Sequence, residues 1–413
     1  MSLSPAALER RYVLLTALRW LPVGLLIPIT VLYALDRGLG IAEIGVAASI
    51  QGFVVLALEL PSGGLADSWG RRPVLIVASS VSLAAVITLS FAETFAAFVA
   101  VAALQGVFRA LDSGVLEAWF ADAAIEAGAP TAVEKGLAAA GVSLGLGIGG
   151  GAVLSSGLTL LAPLLGVDPL HLPIWVSAVL TAVYLVVVIV FVHEDRLARA
   201  STTLAAAVRG VPRILGDGIR LLRSSRVLLA LIGVELFWGF GMYAFESLTP
   251  VKLAEVVGDA DAAAAMLGPV TAAGWLLYSA GSALMRALSG RFNVALMAAL
   301  FRILQGATVV VIGIAAGPIG VIVAFIACYA VHGASNPLHN TLLHAQVTGP
   351  NRATVLSMNS MIAFPAGSFG ALALGGLAGG INVTTAFVVA GIVLALAAPF
   401  YLPAWRAGKI VTD

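Results

Sequence analysis

The most informative residues of this 413-residue sequence are ionisable side chains that lie within long apolar stretches. An ionisable group is costly inside a bilayer, so it is retained where it faces a cavity or a partner. A carboxylate or an imidazole in such a place can also bind and release a proton. These groups therefore indicate proton transfer or the binding of a polar ligand. They are Arg19, Glu59, Arg109, Asp112, Glu117, Glu235, Glu246, Arg302, His332, His339 and His344.

Acids and histidines of this set are candidates for carrying a proton. Glu235 is the first candidate, because no basic residue of its own helix is placed to neutralise it, and Asp112 is the second. For Glu246 the alternative is a solvated residue near the outer end of its span. For His339 and His344 the alternative is hydrogen bonding between helices. The full set of candidates is Glu235, Asp112, Glu117, His339, His344 and Glu246.

Two polar helix faces are predicted to line a substrate cavity. At 100° per residue, the polar residues of each face fall within an arc of about 140°. The first face contains Gln105, Arg109, Asp112, Ser113 and Glu117, and the second contains His332, Asn336, His339, Asn340 and His344. Arg19 and Glu59 each lie about 12 Å from the predicted cytoplasmic side, so they could meet as a fixed ion pair. The candidate cavity residues are Arg19, Glu59, Gln105, Arg109, Ser113, Trp238, Tyr243, Asn336 and Asn340.

Composition shows what kind of fold must hold these groups. Sixty per cent of the residues are hydrophobic and 10% are charged, whereas a soluble domain is about one quarter charged. A spanning helix takes about 20 apolar residues. We therefore predict an all-α integral membrane protein with twelve transmembrane helices in two pseudo-symmetric six-helix bundles. The predicted spans lie near 12–35, 42–65, 73–92, 95–121, 134–161, 171–193, 227–250, 262–285, 293–314, 317–345, 353–380 and 383–403.

Loop charge predicts the orientation of the chain. Basic residues fall almost entirely in loops on one side, with only Arg37 and Lys252 on the other, so both termini are predicted to be cytoplasmic. The longest polar connection separates an N-terminal bundle, residues 1–193, from a C-terminal bundle, residues 227–413. Residues 194–226 form the predicted cytoplasmic linker. The bias towards Ala, Gly and Arg suggests a multi-pass protein of a bacterial inner membrane.

The loop after the second span contains a motif of glycines and charges. The sequence from Gly63 reads Gly-Gly-Leu-Ala-Asp-Ser-Trp-Gly-Arg-Arg. It resembles the signature of the major facilitator superfamily, with Ser68 in place of the usual base. The resemblance implies a transporter in which Asp67 contacts the far half of the bundle and Arg71 pairs with Asp122, latching the outward-open state. The implied latch residues are Gly63, Asp67, Gly70, Arg71, Arg72 and Asp122.

A second motif lies in the fifth span. Gly141, Gly145, Gly149 and Gly150 match the glycines of a motif typical of drug:proton antiporters, although Leu146 stands where that motif has proline. The alternative is that these glycines only allow two helices to pack closely. The resemblance implies proton-coupled efflux of small amphipathic compounds by alternating access. A proton-coupled or facilitative transporter of a polar or anionic metabolite, with Arg19 and Arg109 as the anion site, is the alternative.

Several functions are excluded or disfavoured by the sequence. It contains no phosphate-binding loop with the Gly-x-x-x-x-Gly-Lys pattern, and no recognisable set of catalytic residues, so we expect no enzyme activity and no cofactor. No cluster has metal-ligand spacing, and the net charge of +1 predicts no binding to nucleic acid. The expected partners are a small-molecule substrate, protons and membrane lipids, and the expected state is a monomer. A membrane sensor without transport is the remaining class.

Overall fold

The computed structural model describes residues 4–194, 216, 218–223, 225–288, 290–346 and 352–408, and this part of the chain is helical without strands. Most of the predicted linker, 194–226, therefore lies outside the described residues. The helices are α1 Pro5–Leu26, α2 Thr30–Asp36, α3 Ile41–Trp69, α4 Arg71–Ser90, α5 Phe95–Asp112, α6 Val115–Glu126, α7 Thr131–Leu161, α8 His171–Phe191, α9 Arg226–Tyr243, α10 Thr249–Val257, α11 Ala260–Ala287, α12 Val294–Ile314, α13 Pro318–Ala345, α14 Arg352–Gly380, α15 Val383–Ala395 and α16 Leu402–Arg406.

Twelve segments of the described chain are long and apolar enough to cross a membrane, which confirms the predicted fold class and number of spans. They are Pro5–Asp36, Ile41–Glu59, Arg71–Ser90, Phe95–Glu126, Thr131–Leu165, His171–Phe191, Arg226–Val257, Ala260–Ala287, Val294–Ile314, Pro318–Ala345, Met358–Gly380 and Val383–Arg406. The side on which the termini lie stays a prediction.

Five of these segments consist of more than one helical element. α1 and α2 form the first, α5 and α6 the fourth, and α9 continues through a π-helical turn, Ala244–Leu248, into α10 in the seventh. α7 ends in a 3₁₀ turn, Ala162–Leu165, in the fifth, and a 3₁₀ turn, Ala398–Tyr401, lies between α15 and α16 in the twelfth. In the fourth segment Gly114 has φ 70°, a left-handed conformation that favours glycine and interrupts the helix. The prediction of one continuous helical face from Gln105 to Glu117 is therefore wrong beyond Asp112.

Side-chain caps explain where several helices begin. Thr94, Asp259, Asn293 and Asn382 each accept a hydrogen bond from the backbone N–H three residues later, at 3.3, 2.8, 3.1 and 2.8 Å respectively. Such a cap satisfies one of the N–H groups that a helix start leaves without an intrahelical partner. Short polar residues at the ends of apolar runs therefore set the helix boundaries.

Packing divides the chain into two compact units. Unit 1 comprises Met1–Arg37, Val54–Val211 and Ala264–Ala272, and unit 2 comprises Gly38–Phe53, Pro212–Ala263 and Ala273–Asp413. The start of α3 thus belongs to unit 2, and one short stretch of α11 belongs to unit 1. The bundle boundaries at residues 193 and 227 stay a prediction.

Each unit has its own apolar core. In unit 1, Tyr12 and Phe120 stack with ring centroids 4.3 Å apart, in the same cluster as the fully buried Val74. In unit 2, Leu231, Leu343 and the ring of Tyr401 are buried together. Many large apolar side chains stay exposed on the outside, as expected where the solvent is lipid.

Candidate functional site

An ion cluster in unit 1 joins the middle of α1 to the end of α5. The guanidinium of Arg19 forms an ion pair with the carboxylate of Asp112, whose side chain is 1% exposed. Arg19 Nη1 also lies 3.7 Å from Glu117 Oε1 on α6. Two acids, the buried Asp112 and the partly exposed Glu117, therefore share one base within the membrane-spanning part of the unit.

Glu59 has a different partner from the predicted one. Its Oε1 accepts a hydrogen bond of 3.0 Å from the hydroxyl of Ser113, and it also interacts electrostatically with Arg109. The predicted pairing of Arg19 with Glu59 is therefore replaced by two separate contacts. The equal estimated depths of Arg19 and Glu59 in the membrane were the only basis for that pair. In the structure α5 ends at Asp112, whose carboxylate contacts Arg19. Gln105, one helical turn before Arg109, is half-buried.

A second buried set lies in unit 2, between α9 and α13. Glu235 Oε1 lies 3.1 Å from His339 Nε2, with side chains 6% and 2% exposed. The basic partner that the helix of Glu235 lacks is thus supplied by another helix. Two of the residues predicted from sequence to carry a proton are brought together here.

The surroundings of His339 determine how its ring is held. The hydroxyl of Tyr401 lies 3.0 Å from Nδ1, and the amide oxygen of Asn359 lies 3.4 Å from Nε2. Asn359 and Tyr401 also hydrogen-bond to Glu235 and to Arg302 respectively. The chain of polar contacts therefore runs from Arg302 through Tyr401 and His339 to Glu235.

This arrangement suits a neutral imidazole with its proton on Nε2. In that form Nε2–H donates to Glu235, while Nδ1 accepts from Tyr401, whose oxygen accepts from Arg302. An added proton on the carboxyl of Glu235 retains the contact between the two groups, because the oxygen that faces Nε2 can still accept its hydrogen bond. The pair can therefore take up one proton without breaking these hydrogen bonds.

The other predicted proton candidates of unit 2 lie elsewhere. Glu246, within the π-helical turn, accepts a hydrogen bond of 2.7 Å from Tyr329. His344 is half-buried in the last turn of α13. Glu246 is half-buried as well, so the Glu235–His339 pair is more enclosed than either of them.

The predicted cavity residues of unit 2 cluster around His332. Trp238 stacks on the His332 ring at 5.6 Å, and Asn336 donates a hydrogen bond of 2.7 Å to the Tyr278 hydroxyl. Asn340 donates to Asn336 at 3.5 Å. Tyr243, on the same helix as Trp238, is buried with its hydroxyl unpaired among the described residues.

The loop predicted to form a latch is organised around the start of α4. Arg71 donates to Asp122 Oδ2 through Nε and Nη2, at 3.0 and 2.9 Å. Gly70 has φ 97°, which favours glycine at the turn, and Arg72 donates to the carbonyl oxygen of Ile189 at 2.9 Å. The side chain of Asp67 lies outside the described residues. The latch function of this loop stays a prediction.

A further acid at this loop is not among the predicted residues. The carboxylate of Glu194 accepts hydrogen bonds from the backbone N–H groups of Arg71 and Arg72, at 2.9 and 3.2 Å. An acid at a helix N-terminus is favourable because it meets unpaired N–H groups and the positive end of the helix dipole. The only sequence signal for it is its position directly after the sixth span.

The glycines of the fifth span lie on two different surfaces of α7, one open and one packed against α1. A Cβ at Gly141 or Gly145 would meet no described atom within 4 Å, and one at Gly149 would lie 3.6 Å from Ala272. By contrast, a Cβ at Gly147 would lie 3.1 Å from Ala17 O, and one at Gly151 would overlap the backbone of α1. The glycines that pack α7 against α1 are therefore mainly outside the motif. A Cβ at Gly150 would only touch Leu21, at 4.0 Å, and Gly63 has open space beside it.

Sequence reasoning does not place the residues that support the Glu235–His339 pair beside it. Asn359, Tyr401, Arg302 and Gln305 lie on helices distant in sequence, and Arg302 donates to Gln305 at 2.8 Å. Their contacts depend on how α12, α14 and the C-terminal turns pack. Polarity within a span singles out Arg302 without indicating its partners, and nothing in the local sequence singles out Tyr401.

Comparisons with known proteins give a family and a fold. The family model described as Major Facilitator Superfamily matches residues 12–343. A comparison with curated proteins found no match.

Among solved structures, a mutant form of the nucleoside transporter NupG is similar with a TM-score of 0.78 and 14% identity, over 96% of this chain and 99% of that one. A bacterial homologue of the human lysosomal transporter Spinster, inward-facing and unoccupied, gives 0.73 and 14%, over 99% of each chain. The human organic anion transporter MFSD10 gives 0.62 and 18%, over 95% and 99%. At these identities the similarity shows the fold alone.

Proposed function

The chain belongs to the Major Facilitator Superfamily and is a membrane transporter rather than an enzyme, and from this premise we propose that it couples proton movement to the export of small amphipathic compounds. The observation that carries the proposal is the buried contact of 3.1 Å between Glu235 and His339. An acid and a histidine enclosed together within membrane-spanning helices form a site at which one proton can be bound and released.

The charge of the surrounding residues supports a role in energy coupling. With Glu235 ionised, His339 neutral and Arg302 positive, the buried set has no net charge. One bound proton gives it a charge of +1. A change of this size inside a low-dielectric region alters the relative stability of two conformations, which is what coupling requires.

The ion cluster of unit 1 is the second candidate for coupling. Asp112 and Glu117 share Arg19, so the cluster has a net charge of −1 when both acids are ionised. A proton or a cationic group of a substrate would neutralise it. Because Arg19 is already engaged by acids, the cluster favours a proton or cation over an anionic metabolite.

Efflux of amphipathic compounds is supported by the motifs and by the aromatic side chains. The four glycines of α7 match the antiporter motif, and Gly141 and Gly145 leave an open helix surface. Trp238 is half-buried and supplies apolar surface with a polar edge in unit 2, and the buried Tyr243 on the same helix has a hydroxyl without a partner among the described residues. In this proposal Gly141 and Gly145 keep one surface of α7 open.

The first experiment identifies a substrate and its proton linkage together. Purified protein would be screened by thermal shift against amphipathic compounds at two pH values, and the compounds that stabilise it would be tested for flux in proteoliposomes. The proposal predicts ligands whose stabilisation depends on pH and whose flux follows an imposed pH gradient. Flux that does not depend on the imposed pH gradient would contradict proton coupling. Absence of flux for every compound under every gradient would favour a membrane sensor.

The metabolite alternative has its own test. An anion site built on Arg109 predicts that Arg109→Ala abolishes binding of an anion and leaves binding of a cation unchanged. The proposed efflux function predicts no such selectivity.

We also expect the protein to be a monomer that binds membrane lipids. Native mass spectrometry should show one chain per particle, with bound lipids that dissociate when the ions are activated by collision.

A further inference from the structure

Aromatic side chains from neighbouring segments surround the ring of His332 in unit 2. Trp238 stacks on this ring at a centroid distance of 5.6 Å and an angle of 18°. Tyr278 and Phe245 lie 5.2 and 5.9 Å from it, and Trp275 continues the cluster at 5.5 Å from Tyr278. We call Trp238, Phe245, Trp275, Tyr278 and His332 the ring cluster.

The cluster is more than a packed core. Trp238, Trp275, Tyr278 and His332 are all half-buried, in contrast to the fully buried Phe245. An apolar core would enclose such large rings completely, because each buries a large area. The ring cluster therefore retains accessible surface that a planar molecule can contact.

His332 and two side-chain amides lie along one side of α13. His332, Asn336 and Asn340 are spaced four residues apart, so they lie on one side of the helix, and all three are half-buried. Asn336 donates to the Tyr278 hydroxyl, and the amide of Asn340 donates to Asn336. Exposing amides to lipid is unfavourable, so this side of α13 is suited to face a polar ligand or water.

Several polar atoms in the cluster have open hydrogen-bonding capacity. Trp238 Nε1, Trp275 Nε1 and His332 Nδ1 have no partner among the described residues. Buried indole N–H groups normally find an acceptor. A ligand that enters between the rings could supply acceptors to the indoles and both donors and acceptors to the amides.

We propose that the ring cluster and the amides of Asn336 and Asn340 form a binding site for planar heteroaromatic compounds that carry an amide-like edge, such as a lactam. The rings would stack on the faces of the ligand. The side-chain amides would pair with its edge, because an amide offers a donor and an acceptor side by side. This inference deepens the proposed transport function by naming a substrate class, and binding itself needs no proton gradient.

A set of bicyclic probes of nearly equal size separates the contributions. Quinolin-2-one has a lactam edge, 1-methylquinolin-2-one has lost the donor, and naphthalene has no polar edge. Saturation-transfer NMR in nanodiscs, with empty nanodiscs subtracted, gives the affinity of each. The proposal predicts that quinolin-2-one binds at least about fivefold more tightly than naphthalene, with the methylated probe between them. Equal binding of naphthalene would overturn it.

Variants of the cluster test its location. Trp238→Leu should weaken quinolin-2-one binding by about fivefold or more, whereas Trp238→Phe, which keeps a ring, should retain most of it. Asn336→Leu should remove the preference for quinolin-2-one over its methylated form. The matched control is Trp175→Leu, because Trp175 stacks on His171 at 5.8 Å and 19° in unit 1. Equal loss in Trp238→Leu and Trp175→Leu would contradict the assigned site.

A cationic probe distinguishes the competing ligand class. Aromatic faces and the nearby Glu246 could instead favour an organic cation. Tighter binding of 1-methylquinolinium than of quinolin-2-one would overturn the proposal in favour of that class. Selective binding of quinolin-2-one together with gradient-independent flux would support this site and contradict proton coupling, so the two proposals fail separately.

Discussion

Replacing Glu235 by Gln should uncouple transport from the pH gradient while leaving the protein folded. Gln has nearly the same shape as Glu, and its amide oxygen can still accept the hydrogen bond from His339 Nε2. The contact of His339 with Tyr401 is untouched. We therefore expect only a modest loss of stability, about 1–3 kcal/mol for one altered buried hydrogen bond.

The size of the transport effect follows from the number of protons that the pair can hold. One proton per cycle moving down one pH unit supplies about 1.4 kcal/mol, which supports about a tenfold substrate gradient. The Gln variant cannot bind this proton on residue 235, so the supported gradient falls to about one. Two coupled protons, the second on Asp112, would instead give about a hundredfold in the wild type and about tenfold in the variant.

The assay measures steady-state accumulation of a screened substrate in proteoliposomes as the pH difference is varied at zero membrane potential. Glu255→Gln is the matched control, because Glu255 pairs with Lys252 at 3.3 Å and is 52% exposed. This control should keep the wild-type slope. A Glu235→Gln variant with the same slope as the control would refute the assignment of the coupling proton to this pair.

Three other predictions concern stability and are read from thermal unfolding in detergent. Asp112→Asn should destabilise the protein by about 1–3 kcal/mol because Arg19 loses its buried partner and keeps only Glu117, at 3.7 Å. The double variant with Arg19→Met should recover part of this loss, and a double variant that is less stable than Asp112→Asn would contradict the pairing. Gly151→Ala should be clearly destabilising, because the added Cβ overlaps the backbone of α1. Gly141→Ala should be neutral or should stabilise the protein by up to about 1 kcal/mol, because the added Cβ meets no described atom. Equal effects of the two substitutions would contradict the packing of α7 against α1. Glu194→Gln should cost about 1 kcal/mol by weakening the cap on α4, an effect that should decline in high salt.

The sequence predicted the fold class because the signal for a membrane span is strong and local. Runs of about 20 apolar residues can be recognised in the sequence without any knowledge of tertiary contacts. Short polar caps such as Thr94 and Asp259 then set where the helices begin. The sequence does not predict the break at Gly114, because a glycine within an apolar run fits both a continuous helix and a left-handed turn.

The candidate residues were predicted better than their partners. A charged residue inside a span stands out by itself, so Asp112, Glu235 and His339 could be named from the sequence. Their pairings depend on helix rotation and on residues distant in the chain. For this reason the sequence favours Glu59 as the partner of Arg19, whereas the structure pairs Arg19 with Asp112.

The most direct test of the central claim asks whether Glu235 itself binds a proton. Infrared difference spectra of the protein in lipid, recorded between about pH 5 and about pH 9, report the carbonyl stretch of protonated carboxyl groups. The proposed function predicts a band that titrates in the wild type and in Glu255→Gln, and that is lost in Glu235→Gln. An unchanged band in Glu235→Gln would show that another group carries the proton and would contradict the proposed mechanism.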